Sequence, residues 1–273
     1  MQSLTTIIGV SGKKQSGKSS LCKYISCYYN LLFLNSFSEE ELESLIQSKD
    51  GEKVFLSSKN YLSSEPVDCE DIIKSSYDLY RPLYSSVINS DEKQPRVPVK
   101  VYSFADPIKD MCVNILNLRE KQVNGTDAEK NSVTPYHWDN IPSIFKKNSN
   151  STGFMTARQV MQFLGTDIFR EMFSQNVWVD ACIKNISKES PKIALIADVR
   201  FPSEADAILK AGGLLVRLTR SIYQDEHKSE NALNDYFSEP HPYVCKVPDV
   251  DIFEKNRLVL EFLNKNIKTE KIH

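Results

Sequence analysis

Gly12-Lys13-Lys14-Gln15-Ser16-Gly17-Lys18-Ser19 fits G-x-x-x-x-G-K-[ST] at every position. The spacing has a mechanical reason. Glycines at both ends admit backbone angles that turn successive N–H groups inward, and a helix beginning here adds its positive N-terminus to that nest. Such a turn holds phosphate: Lys18 can reach the outer phosphates of a nucleotide, and the Ser19 hydroxyl can ligate a hard divalent cation. Lys13, Lys14, Gln15, Ser16 and Ser20 complete the candidate cradle. The flanks agree, since the apolar run Ile7-Ile8-Gly9-Val10 precedes the loop and Ser20 to Tyr29 has helix character after it.

A phosphate loop of this kind needs an acid on a neighbouring strand. Ile193-Ala194-Leu195-Ile196-Ala197 is an unbroken apolar run ending at Asp198, the pattern of a strand buried on both faces of a parallel sheet. Ser203 to Lys210 reads as a helix, Gly212-Gly213 ends it, and Leu214 to Thr219 reads as the next strand. Val99 to Phe104 alternates like a strand and is followed by Ala105-Asp106-Pro107 and a helix from Ile108 to Leu118, with Pro107 in the first turn after an Asp106 cap. Ile252 to Asn264 reads as an amphipathic docking helix. Strands separated by helices predict a single α/β domain over 1–273: a three-layer P-loop fold with a mainly parallel sheet and helical or irregular insertions. Ligands in such sheets bind beyond the carboxyl ends of the strands, where Ser19, Asp106, Lys109 and Asp198 would gather.

Two stretches interrupt the pattern. Residues 30–98 are rich in Ser, Glu, Asp and Lys and read as an insertion or flap, with one helix over Glu39 to Gln47. Residues 121–153 are polar apart from Tyr136, His137 and Trp138, and read as a second insertion. The helix that follows is the plainest in the chain. Thr156 and Gln159 make a capping box, and Ala157, Val160, Met161, Leu164 and Ile168 form one apolar face. Opposite them Arg158, Gln162, Thr166 and Arg170 recur every four residues, a stripe able to grip a phosphate and meet the edge of a base. A solvated outer face looks the same. Trp178 can either stack on a base or fill the core.

Charge and cysteine usage narrow the class. A formal net charge of -2 gives no global basic field for nucleic acid. The six cysteines at 22, 27, 69, 112, 182 and 245 contain no C-x-x-C pair and no zinc or disulfide framework. No apolar segment approaches membrane-spanning length, and a cytoplasmic location is expected. No guanine-reading Asn-Lys-x-Asp sequence is present.

Four stretches together resemble the bacteriophage-type deoxynucleoside monophosphate kinase family: Gly9 to Ser20, Ser103 to Lys109, Thr156 to Trp178, and Ile196 to Glu204 running on to Gly213. His227-Lys228-Ser229-Glu230 is a weaker match, and 30–98 has no counterpart in the family pattern. The resemblance implies ATP- and Mg²⁺-dependent phosphorylation of small nucleotides, typically in virus-infected cells. It implies that Asp106, Lys109, Arg158, Gln162, Thr166, Arg170 and Trp178 line the acceptor site, with Asp198 and Arg200 beside the transferring group. Lys18, Asp198 and Arg200 are then the catalytic set, and Ser19 and Asp198 the metal set. Arg217 and Arg220 are candidates for further charge stabilisation. Homodimerisation is left open. Two other readings fit a phosphate loop: a kinase of another small metabolite such as dephospho-coenzyme A, and a nucleotide-binding regulatory module without transfer activity.

Overall fold

The structure is a computed structural model that describes residues 5–13, 15–33, 42, 45–48, 51, 53–56, 67–69, 71, 98–146, 148, 150–221, 233 and 236–267. In chain order its elements are β1 (Thr6–Gly12), α1 (Lys18–Phe33), β2 (Leu45–Gln47), β3 (Val54–Leu56), β4 (Val67–Asp68) and β5 (Val99–Tyr102). Then come α2 (Asp106–Asn114), α3 (Glu120–Asn124), α4 (Asp127–Lys130), β6 (Val133–His137), β7 (Phe154–Thr156), α5 (Ala157–Gln162) and α6 (Val177–Glu189). Last are β8 (Ile193–Val199), α7 (Pro202–Lys210), β9 (Leu214–Leu218), β10 (Val244–Val247) and α8 (Ile252–Asn266). The chain divides into two compact units, residues 1–102 with 186–273, and residues 103–185.

The first unit is built on a five-stranded sheet in the order β10-β9-β1-β8-β5, every pair parallel. Ile8 pairs with Leu195 on one side and Leu214 on the other, so β1 is central and buried on both faces. Side chains alternate along a strand. Ile8 and Val10 join Leu21, Ile25, Val259 and Leu263 in one core, placing α1 and α8 on that face. A Cβ on Gly9, pointing the other way, would lie 2.5 Å from Ile208 Cδ1 of α7. Helices therefore cover both faces, and the expected three layers are present. Asn30 pins the end of α1 to β5 by donating to Val99 O at 3.3 Å and accepting from Val99 N at 3.0 Å.

Part of the predicted insertion belongs to this unit. Of the helix expected over 39–47, residues 45–47 are instead strand β2, paired antiparallel with β3, while 39–41 and 43–44 lie outside the described residues. Tertiary contacts override the local pattern here. Leu45 and Gln47 point inward, and Gln47 donates to Ser20 O at 2.7 Å and to Gly51 O at 3.0 Å. Leu42, Leu45, Val54 and Cys69 enter the same core as α1.

The second unit shows that 121–146, 148 and 150–153 are not a plain linker. They include α3, α4 and β6, and β6 pairs with β7 as a hairpin. Gln122 ties α3 to it, donating to Ser132 Oγ and Val133 O at 3.1 and 3.2 Å. The helix expected over 108–118 begins earlier and ends at Asn114. Its cap is Ala105 rather than Asp106; Asp106 is inside the first turn and its carboxylate reaches back to accept from Ser103 N at 2.7 Å. The Thr156–Gln159 capping box is present, with bonds of 2.8 and 3.2 Å. The helix it starts changes character, however: α5 ends at Gln162 and Phe163–Phe173 continues as a π-helix. From Phe163 on, that wider winding changes the phase of the inward face: Phe163 and Gly165 are buried, while Met161, Leu164 and Ile168 of the expected apolar face are only half-buried.

Candidate active site

In the first unit the loop leaves β1 at Gly12 and enters α1 at Lys18. Gly17 has φ +91°, a conformation open to glycine and costly for other residues. A Cβ on Gly12 would sit 2.4 Å from Ser16 Oγ and 3.1 Å from Leu218 Cβ, so a larger residue there would displace the Ser16 hydroxyl and crowd β9. Lys18 folds back onto the loop, its ammonium donating to Gly12 O at 2.6 Å and Lys13 O at 2.7 Å. Ser16 is 3% exposed and its hydroxyl has no partner among the described residues. A buried hydroxyl left unsatisfied in an otherwise bonded loop is a mark of a site shaped for a ligand. Lys14 lies outside the described residues.

Asp198 is the penultimate residue of β8, the strand next to β1, and the register brings Ser11 beside Val199. The Cys22 thiol, one turn into α1, reports the neighbourhood. Burial first, and then the Asp198 charge, push its pKa up to about 12, while Lys18 and Lys255 pull it down. Lys18 and Asp198 thus act on one buried atom at the carboxyl edge of the sheet. Ser19 and Asp198 are both hard oxygen donors, the chemistry that suits magnesium. No group of three or more His, Cys, Asp or Glu residues that could hold a metal occurs among the described residues. A magnesium site that shares its ion with phosphate oxygens needs fewer protein ligands than that.

Arg200 follows Val199 in a turn held by Glu204, a carboxylate 2% exposed that accepts from Arg200 N at 2.8 Å and Phe201 N at 3.1 Å. Glu204→Ala strands both N–H groups, and a loss of about 1–3 kcal/mol of stability is expected. Glu204→Gln keeps one acceptor and should lose less; urea midpoints of the two variants check the order. Arg217 is buried and donates to Ser11 Oγ at 2.9 Å, one residue before the loop. Arg220 is half-exposed, 3.6 Å from Asp249, and lines a cavity of about 170 Å³ together with Ser16, Gly17, Ser20 and Lys255. Neither Lys255 nor that cavity was foreseen from the sequence.

The second unit holds the predicted acceptor residues. Arg158 pairs with Asp127 at 2.6 Å, and its Nε is buried without a partner among the described residues. Lys109 lies 3.6 Å from Asp106. Lys130, unmarked in the sequence reading, joins them: burial first, then the charges of Lys109 and Arg158, hold its pKa below the usual lysine range. The unit therefore gathers three cations, Lys109, Lys130 and Arg158, partly balanced by Asp106 and Asp127, and an anion would add to that balance. Gln162 and Thr166 are exposed and Arg170 is half-exposed. Trp178 is 6% exposed; its indole donates to Gly165 O at 2.7 Å and its ring lies 5.1 Å from Phe169. It packs behind the helix that carries the polar stripe.

A parallel sheet with a phosphate loop after its central strand and an acid on the adjacent one defines a P-loop α/β protein. The chain belongs to the deoxynucleotide monophosphate kinase family, whose model matches residues 6–239. It is 29% identical over 143 residues to a protein of Acanthamoeba polyphaga mimivirus provisionally named a deoxynucleotide monophosphate kinase, a match covering 47% of this chain and 65% of that one. It is 28% identical over 89 residues to a deoxynucleoside-5'-monophosphate kinase of Escherichia phage T5, covering 29% of this chain and 36% of the phage protein. The chain thus spans less than two thirds of either relative. Among the described residues, no helix is long and apolar enough to cross a membrane.

Proposed function

We propose that this protein transfers the γ-phosphoryl group of ATP to a deoxynucleoside monophosphate, releasing ADP and the deoxynucleoside diphosphate. The observation that carries the reading is the glycine-shaped loop between β1 and α1 with Lys18 folded over it and Asp198 near the end of the adjacent parallel strand β8, in a chain matched by this family.

The chemistry asks the protein for position and charge. An oxygen of the acceptor phosphate attacks the γ-phosphorus while the bond to the β,γ-bridging oxygen breaks, leaving ADP. That oxygen is already anionic, so no general base is required, and catalysis rests on holding the groups in line and neutralising charge. The loop amides and Lys18 hold the donor phosphates, Lys18 exchanging its two carbonyl partners for phosphate oxygens. Ser19 and Asp198 would hold magnesium, which would neutralise negative charge on the phosphates. Arg200, fixed by Glu204, stabilises charge on the moving group. Arg158 and Arg170 grip the acceptor phosphate, with Lys109 and Lys130 adding charge, and Asp106, Gln162 and Thr166 supply polar contacts. Trp178 shapes that surface from behind.

ADP release from the purified protein with ATP and magnesium should appear with one or more of dAMP, dCMP, dGMP and dTMP, and not with dephospho-coenzyme A. Nucleotide binding without acceptor-dependent ADP formation would instead mark a regulatory module. Arg158→Ala should raise the acceptor KM about 10-fold or more, the worth of a charged hydrogen bond, with little change in the KM for ATP. Unchanged acceptor kinetics would take the stripe out of the site.

A further inference from the structure

Lys255 lies on α8, far along the chain from the phosphate loop, and is 9% exposed. Its ammonium has no hydrogen-bond or ion-pair partner among the described residues. An ammonium largely withdrawn from water with no counter-charge is costly, and this one borders a cavity where an anion would offset the cost. The nearest loop atom is informative: a Cβ on Gly17 would stand 3.3 Å from Lys255 Nζ, so the ammonium rests against the peptide whose N–H groups face phosphate in such loops. The cavity beside it is lined by Ser16, Gly17, Ser20 and Arg220, and by neither Lys18 nor Ser19. Lys18 and Ser19 mark the β/γ-phosphate and metal end of the cradle. A cavity sharing the loop but excluding both belongs to the end nearer the sugar.

We infer that Lys255 is a second phosphate-loop cation, supplied by the C-terminal helix, which binds the ribose-proximal phosphate of the donor nucleotide. The inference deepens the donor site proposed above and rests on it. Two features support it. Burial, and then the charge of Arg220, hold the Lys255 pKa below the usual lysine range, with Cys22 acting the other way, so an arriving phosphate would relieve an existing strain. The unpartnered Ser16 hydroxyl also lines this cavity, offering the same anion a donor. Asn256, the next residue of α8, donates to Gln47 Oε1 at 3.0 Å, and Gln47 is bonded to Ser20 O of α1, which fixes the register of α8 against the loop helix.

The test is competition of adenosine, AMP, ADP and ATP against a fluorescent ADP analogue on full-length wild type, Lys255→Met and Lys255→Arg. Methionine keeps the apolar stem and removes only the charge. Lys255→Met should weaken AMP, ADP and ATP alike by about 10- to 100-fold and leave adenosine unchanged. Lys255→Arg should recover most of the loss, and the thermal midpoint of Lys255→Met should hold or rise, because a lone buried charge has gone. Loss confined to ADP and ATP would move Lys255 to the outer phosphates and overturn the inference, as would equal affinities in both proteins. A loss that includes adenosine, with a lowered midpoint, would reduce Lys255 to a packing residue. Wild type that binds none of the four would overturn the donor site itself along with it.

Discussion

Lys18→Met is expected to fold and to lose phosphoryl transfer by about 10²–10³-fold or more, the scale on which removing one preorganised donor to developing charge is felt. The argument for folding comes from what Lys18 touches. Its ammonium satisfies two loop carbonyls, Gly12 O and Lys13 O, in a part-buried setting that water can partly replace. The price in stability is then about 1–2 kcal/mol, small beside the core of α1, α8 and the sheet. The argument for lost transfer is that no other cation among the described residues takes its place. Lys13 joins the loop through its backbone carbonyl, the Arg217 guanidinium is bonded to Ser11 Oγ, and Lys255 lines the cavity beside Ser16, Gly17 and Ser20. Circular dichroism should superimpose on wild type while ADP formation with any deoxynucleoside monophosphate falls to near background. A variant that kept full activity would mean that the donor does not rest on this loop.

Much of the first unit could be read directly from the chain, and the reasons are local. The phosphate loop is specified by residues within one turn of each other, and β8 shows itself because a strand buried on both faces has to be apolar throughout. The Thr156 capping box is equally local, two side chains answering two backbone N–H groups three residues apart. What escaped depends on distant partners. β2 has no pattern of its own; it is a strand by its antiparallel pairing with β3, and Gln47 then ties it to the Ser20 carbonyl. β10 is four residues, Val244–Val247, too short to carry a period and defined by pairing with β9. The π-helix after Gln162 preserves a helical look in the sequence while changing which residues face inward. Lys255 reads as one more charged residue on an amphipathic helix, and only the fold turns it toward Gly17. Lys130 is similar, made notable by the company of Lys109 and Arg158.

Asp198→Asn separates the metal's contribution from that of the loop, and its effects should run in opposite directions. The carboxylate lies at the carboxyl edge of β8, beside β1, where its charge and that of Lys18 meet on Cys22. In the proposed site it would serve magnesium as a ligand or through a bound water; without magnesium it would be a negative charge close to the place proposed for a polyphosphate. Removing the charge should therefore cut turnover by about 10²-fold or more and raise the magnesium concentration needed for half-maximal rate. The same change should leave metal-free ADP bound at least as tightly as in wild type, since repulsion between two anions has been removed. Asparagine keeps the size of the aspartate and one of its acceptor oxygens, so the expected stability change is small. Titration of ADP with and without magnesium, on both proteins, reads the two signs independently. If Asp198→Asn weakened metal-free ADP as much as the magnesium complex, Asp198 would be positioning the loop rather than holding an ion. If neither changed, the acid that this loop requires would have to be sought elsewhere in the chain.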